Sequence, residues 1–380
     1  MMSLLLSRLS KLSPGKSSLV RRSSSPLLLL SNGFSSSPLQ TPPCAVSSAS
    51  PCGDGLGKLG ITYADGKSSN SFEKKVPMEL IDSDPMITIG ASHGWIATLK
   101  EDGILRLQDD FNPVASDTHP KRIPLPPLVT LPHCQTQIVT NVSMSSSSPE
   151  DQDCVVAVKF LGPQLSFCRP AAQGNPEWIN VRISSPCFFS SRVMFSKKDE
   201  IFRMPGSGGQ LIGSLDIHTQ KKKRHKLKIQ KLRFQNLPEL SKTKQELLHS
   251  CYTSEHLVES GATGETFLVR LYRKAFATSR IVKMKTKDVM VFKLDEEGNA
   301  VYTRDIGYQN ICLSRSEPFC APPSCFVGEY SNHVDLLDVD EYASVHLLDS
   351  SIDSCSFLSQ TPYHIPPQNM SLESLNLVWN

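Results

Sequence analysis

The sequence predicts an all-β chain, a β-propeller of about six blades preceded by a disordered leader, on three observations. Short apolar runs alternate with polar residues at the two-residue period of a strand that buries one face. Clusters of Gly, Pro, Asn and Asp separate them as turns. Strand groups recur at intervals of about 40 residues, roughly six times, as four-stranded sheets stacked around a ring require. The same spacing also permits a β-sandwich with a second small β domain.

Composition bounds the function. A chain of 380 residues can bury a large core, while 39% hydrophobic and 7% aromatic residues point to a disordered segment diluting a globular remainder. A formal charge of +3 is too small to argue by itself for a nucleic acid or an acidic substrate. Eleven cysteines form an odd set without a CxxC pair or zinc spacing, which reads as reduced thiols in a reducing compartment. No apolar run reaches the ~20 residues of a membrane helix, so no membrane insertion is expected.

The chain divides into an organelle transit peptide (1–34), a disordered linker (35–75), the propeller (76–350) and a C-terminal tail (351–380) that could help close the ring. The first acidic residue is Asp54, whereas Arg8, Lys11, Lys16, Arg21 and Arg22 stand among serines and leucines. Leu5, Leu9 and Leu12 recur at helical spacing near Arg8 and Lys11, the amphipathic character of a mitochondrial presequence. Cleavage is expected near Phe34. The serine content keeps the chloroplast as the alternative compartment.

The first unit spans 87–127. Two apolar runs face each other across Asp102–Gly103, a turn pair that accepts positive φ. The second unit runs from Gln137 to Ile183 through CVVAVKF and EWINVRI, and the third from Cys187 to Ile217. The basic run KKKRHKLKIQKLR at 221–233 follows as a solvated loop leading into a strand, then a short helix over 241–249. HLVES and ETFLVRLYR make the fourth unit, VMVFKL with 300–313 the fifth, and 324–348 the sixth.

GASHGW with its hairpin, HLVES with FLVRLYR, and VFKLDEEGNAVYTRDIGYQNICLSRSEPF through CFVGE carry a resemblance. The chain resembles the plant family called domain of unknown function 295, also described as a KIB-type β-propeller, over about residues 87–348. Relatives often place an F-box before the propeller and recruit ubiquitin-ligase substrates. This chain departs from that pattern, because 1–86 holds no helical Leu–Pro F-box signature. It is closer to the organelle-targeted branch that lacks an F-box, for which the resemblance implies no defined activity.

Lys221, Lys222, Lys223, Arg224, Lys226, Lys228, Lys231 and Arg233 are the candidate contacts to RNA or to a partner, with Phe234 as a stacking platform. A solvated inter-strand loop explains them more simply. Gly206, Ser207, Gly208 and Gly209 lack the GK[ST] ending of a phosphate loop and read as a turn. Asp335, Asp338, Asp340 and Glu341 lack calcium-loop spacing and read as an acidic blade edge. His93 is expected to shape a turn and Trp95 to pack between blades. Cys312, Cys320 and Cys325 are expected to be buried small hydrophobes rather than a redox or metal cluster. Asn141 and Asn369 head glycosylation sequons that matter only outside an organelle. The expectation is a monomeric, non-enzymatic, cofactor-free organellar interaction propeller with an unknown protein partner. Organellar RNA binding through 221–233 and a propeller enzyme of unknown reaction are the alternatives.

Overall fold

The computed structural model describes residues 40–63, 69–81, 87–217, 226–277, 282–323, 331–355 and 361–369. The expected transit peptide, Lys221, Lys222, Lys223 and Arg224, Cys325 and the SCFVGE strand at 324–329 lie outside them.

The chain folds as a six-bladed β-propeller. Blade 1 takes β1 (Cys44–Gly53), β2 (Leu56–Tyr63) and β3 (Ser69–Pro77). Blade 2 is β4 (Thr88–Ser92), β5 (Trp95–Leu99), β6 (Ile104–Gln108) and β7 (Arg122–Pro127). Blade 3 is β8 (Val139–Met144), β9 (Val156–Phe160), β10 (Gln164–Cys168) and β11 (Ile179–Arg182). Blade 4 is β12 (Met194–Ser196), β13 (Ile201–Pro205), β14 (Leu211–Leu215) and β15 (Lys228–Lys231). Blade 5 holds β16 (Arg233–Gln235), the helix α1 (Lys242–His249) before its inner strand, β17 (Tyr252–Glu259), β18 (Thr266–Ala277), β19 (Val282–Leu294) and β20 (Asn299–Thr303). Blade 6 is β21 (Asn310–Leu313), β22 (Phe319–Ala321), β23 (His333–Leu337), β24 (Tyr342–His346) and β25 (Ile352–Cys355). The last strand, β26 (His364–Ile365), returns to blade 1.

That return closes the ring. β26 pairs with Cys44 and Ala45 of β1, Val46 N–H donates to Tyr363 O at 3.0 Å, and Thr41 N–H donates to Gln368 O at 2.8 Å. This closure covers the inner edge of β1 at Cys44–Val46. Blade 6 meets the returning segment through Arg315 N–H to Pro362 O at 3.1 Å and His364 N–H to Ser314 Oγ at 3.2 Å.

Apolar side chains form the core between facing sheets. Trp95, Leu105 and Leu107 of blade 2 pack on Val142, Met144 and Val156 of blade 3. Phe167 and Val181 meet Phe202 and Met204 between blades 3 and 4. Val269 and Val291 meet Leu313 and Val345 between blades 5 and 6. Each fully buried Val, Leu or Phe contributes about 1.5–3 kcal/mol. Hydrogen bonds stepping 52 residues repeat the blade geometry: Met144 N–H to Ser92 Oγ, Val193 N–H to Asn141 Oδ1 and Phe195 N–H to Ser143 Oγ. The step is longer than the 40-residue period expected, because loops such as 108–122 and 144–156 sit inside the repeat.

Two expectations are corrected. Residues 44–63 and 69–75, expected in the linker, are strands of blade 1, so the unit at 87–127 is the second blade. Cys44, Val46, Leu59, Ile61 and Val76 are buried, while the outward positions are Ser, Gly and Lys, which gives the segment a linker-like composition. Its hairpin turns at Asp54–Gly55, where both residues have positive φ. The fourth and fifth expected units are one blade, since β18 and β19 pair from Thr266↔Leu294 to Ala277↔Val282 with one register shift between Tyr272 and Arg273. One blade is gained and one lost, and the count remains six.

Candidate functional site

The inner strands β4, β8, β12, β17 and β22 stand side by side around the centre. At one mouth of the channel lies a cavity of about 380 Å³, lined by side chains of blades 3 to 6. Three guanidiniums reach it, Arg192, Arg273 and Arg315, together with His256. Arg192 precedes β12 and crosses to blade 6, where Nη1 donates to Ser314 O at 3.0 Å and Nη2 to Arg315 O at 3.3 Å. Arg273 on β18 pairs through Nη1 with Asp338 after β23 and donates from Nη2 to Met284 O at 3.2 Å.

Charge in this mouth is predominantly positive: the three arginines face two carboxylates, Asp338 and Glu255. Glu255 accepts Gly208 N–H at 2.9 Å, and burial pushes its pKa above the usual carboxylate range. Three buried polar atoms of the residues lining this mouth have no hydrogen-bond partner, Arg192 Nε, Arg273 Nε and His256 Nδ1. Unpaired polar atoms are rare in folded interiors and ask for an explanation.

Ser254 Oγ lies 3.1 Å from His256 Nε2, the separation of a nucleophile and its base. The histidine does not suit that role. Burial and then the charges of Arg192 and Arg273 push its pKa down to about 3, and no carboxylate orients Nδ1. An imidazole so reluctant to accept a proton is a poor general base at neutral pH.

The opposite mouth is built on carboxylates. Glu317 accepts from Ser92 Oγ at 2.5 Å, Ser143 Oγ at 2.6 Å and Phe195 N–H at 3.2 Å, tying blades 2, 3 and 4 to the segment entering β22. Burial raises its pKa, opposed by those donors. Glu259 ties blade 5 to blade 4, accepting from Ser196 Oγ at 2.5 Å and Lys197 N–H at 2.9 Å. A cavity of about 280 Å³ there is lined by His93, Lys197, Glu259 and Glu317. His93 sits in the β4–β5 turn at φ +51°, and burial followed by the charge of Lys197 lowers its pKa to about 4.

A family model described as KIB1-4 beta-propeller matches residues 67–357, well over half of the chain. The chain belongs to the KIB1-4 β-propeller family. No curated protein matches it. In this KIB1-4 propeller, β1, β2 and β26 lie outside the matched span, yet they complete blade 1.

The KIB1-4 propeller divides the expected basic site. Lys228 and Lys231 lie on β15, the exposed outer strand of blade 4, with Lys226 just before it. Arg233 belongs to β16 of blade 5, where Nε donates to Asn299 Oδ1 at 3.0 Å and Nη2 to Glu297 O at 2.9 Å. Phe234 is no stacking platform: it packs edge-on against Phe292 at 4.9 Å with the Arg270 guanidinium over its face.

Other candidate groups are also committed to structure. Glu341 accepts both Thr286 N–H and Thr286 Oγ1 at 2.8 Å, Asp340 accepts Met284 N–H at 3.1 Å, and Asp335 accepts Ser344 Oγ at 2.6 Å. Asp335 and Glu341 are therefore buried, not a solvated edge. Trp95 packs between blades 2 and 3 and donates from Nε1 to Ser147 O at 3.1 Å. Burial pushes the Cys320 thiol up to about 12, which removes its nucleophilic form at neutral pH. Asn141 Nδ2 donates to Val193 O at 2.7 Å in a buried position, so its sequon is closed to glycosylation.

The mouth arginines were missed by sequence reasoning. Two of them carry a faint signal, a Ser–Arg pair beside an apolar run at Ser191–Arg192 and Ser314–Arg315, which Arg273 lacks.

Proposed function

We propose that this protein is a non-enzymatic interaction propeller of the mitochondrion, the chloroplast being the other compartment its leader fits, and that it engages a protein partner. One observation carries the reading. β18 and β19 extend past their neighbours: β17 ends opposite Arg273, and β20 pairs β19 only from Val291 onward. The ribbon formed by 274–277 and 282–285 is held by cross-strand pairs, while Met284 leans on Asp340. Phe276 is 56% exposed, Val282 65%, and Tyr252 at the base of the ribbon 69%. By the pairs Phe276↔Lys283 and Ala277↔Val282, Phe276 and Val282 project from opposite faces of the ribbon, and large exposed aromatic and aliphatic side chains are the ordinary anchors of protein recognition.

RNA binding is the weaker reading. The lysines of β15 stand on an edge strand, where lysine commonly blunts edge-to-edge pairing.

Affinity capture from isolated organelles tests the proposal, comparing the wild type with the F276D/V282D double variant. A specific protein recovered with the wild type and lost with the variant supports it. Equal recovery with both, or recovery of RNA that disappears when Lys226, Lys228 and Lys231 become glutamate, overturns it. Imaging a C-terminal fluorescent fusion tests the compartment.

A further inference from the structure

We propose that the cavity at the Arg192 mouth is a binding site for a small oxyanion, a phosphate ester or polycarboxylate metabolite. The inference is independent of the partner reading, since it concerns the channel and not the ribbon.

The volume, about 380 Å³, lies within the range of small-molecule sites. Arginine forks match carboxylate and phosphate oxygens, and three of them enter one cavity from three blades. Two of the three have no carboxylate partner among the described residues: Arg192 rests on backbone carbonyls, and Arg315 lies beside Tyr363. Arg273 is offset by Asp338, and Glu255 lines the same space, so three guanidiniums face two carboxylates. Hydroxyls of Ser207 and Thr253 line the same space and can donate to oxygen acceptors, whereas those of Thr140 and Ser191 already donate to backbone carbonyls.

His256 gives the independent indication. It is 6% exposed, lines the cavity, and its Nδ1 has no partner. With Nε2 against Ser254 Oγ, a neutral ring can carry its hydrogen on Nδ1 and donate it to a bound oxyanion. Arg192 Nε and Arg273 Nε are further buried donors left unpaired. An oxyanion would satisfy unpaired donors and surplus positive charge together. An apolar ligand would satisfy neither.

Isothermal titration of the full chain tests the site with inorganic phosphate, citrate and a hexose 6-phosphate, against potassium chloride at matched ionic strength. Saturable binding of one equivalent of at least one oxyanion is expected, weakened at least tenfold in R315Q. Because R192Q removes a strut across the channel, Ser254→Asp is the second variant: the position is exposed, and a carboxylate there should abolish binding while thermal unfolding of the free protein stays within a few degrees. Absence of saturable binding by all three probes overturns the proposal. So does binding that survives unchanged in both R315Q and S254D.

Discussion

Ser143 Oγ donates a 2.6 Å hydrogen bond to Glu317 Oε1, joining residues 174 positions apart. Through Ser92 and Phe195 N–H the same carboxylate reaches blades 2 and 4, and Glu317 N–H donates to Ala91 O at 2.7 Å. Glu317→Ala strands the Ser92 and Ser143 hydroxyls, while Phe195 N–H keeps Ser143 Oγ, and should cost about 2–4 kcal/mol in urea unfolding. Glu317→Gln, which keeps an acceptor oxygen, should cost about half as much. Equal losses would show that a single acceptor oxygen is not enough and that both carboxylate oxygens are needed.

Asp335 gives the pH dependence. Burial pushes its pKa up to about 6, opposed by the bond from Ser344. The native protein therefore holds a proton that the unfolded chain releases near pH 4, so stability associated with the protonated group is full below about pH 4 and lost as pH rises through 6. Asp335→Asn should gain about 2 kcal/mol at pH 8 and nothing at pH 4. Chemical unfolding at the two pH values reads the difference, and a gain independent of pH would contradict the assignment.

Blades 5 and 6 are clamped by Glu341. Its replacement by alanine leaves Thr286 N–H and Oγ1 without their acceptor, at a cost of about 2–4 kcal/mol. The loss should be local first. Hydrogen exchange is expected to quicken along 282–288 before the far blades respond.

Ring closure rests on the last strand. Removing 361–380 deletes Tyr363, fully buried, and Ile365, 2% exposed, and opens β1. Losing such side chains costs about 3–5 kcal/mol each, so calorimetry should record a fall of roughly 10 °C or more, or loss of the cooperative transition. An unchanged transition would show that β26 is dispensable.

The strands of blades 2 to 4 were legible because their apolar positions alternate between strong turns, as in Trp95–Leu99 and Ile104–Gln108 around Asp102–Gly103. Blade 1 was not, because its inward residues are separated by Ser, Gly and Lys and its fourth strand comes from the other end of the chain. The assignment of β21 to blade 6 was equally hidden: its parallel pairing with β23 is a long-range choice that no local period records. The mouth was the least legible part. Arg192, Arg273 and Arg315 lie on three blades, and only ring closure brings them together.

Hydrogen exchange on the protein with its captured partner tests the central claim most directly. The account predicts slowed exchange at 274–277 and 282–285, with the β15 lysines and the opposite channel mouth unchanged. Protection confined to β15 or to the channel, with the ribbon still exchanging freely, would contradict it.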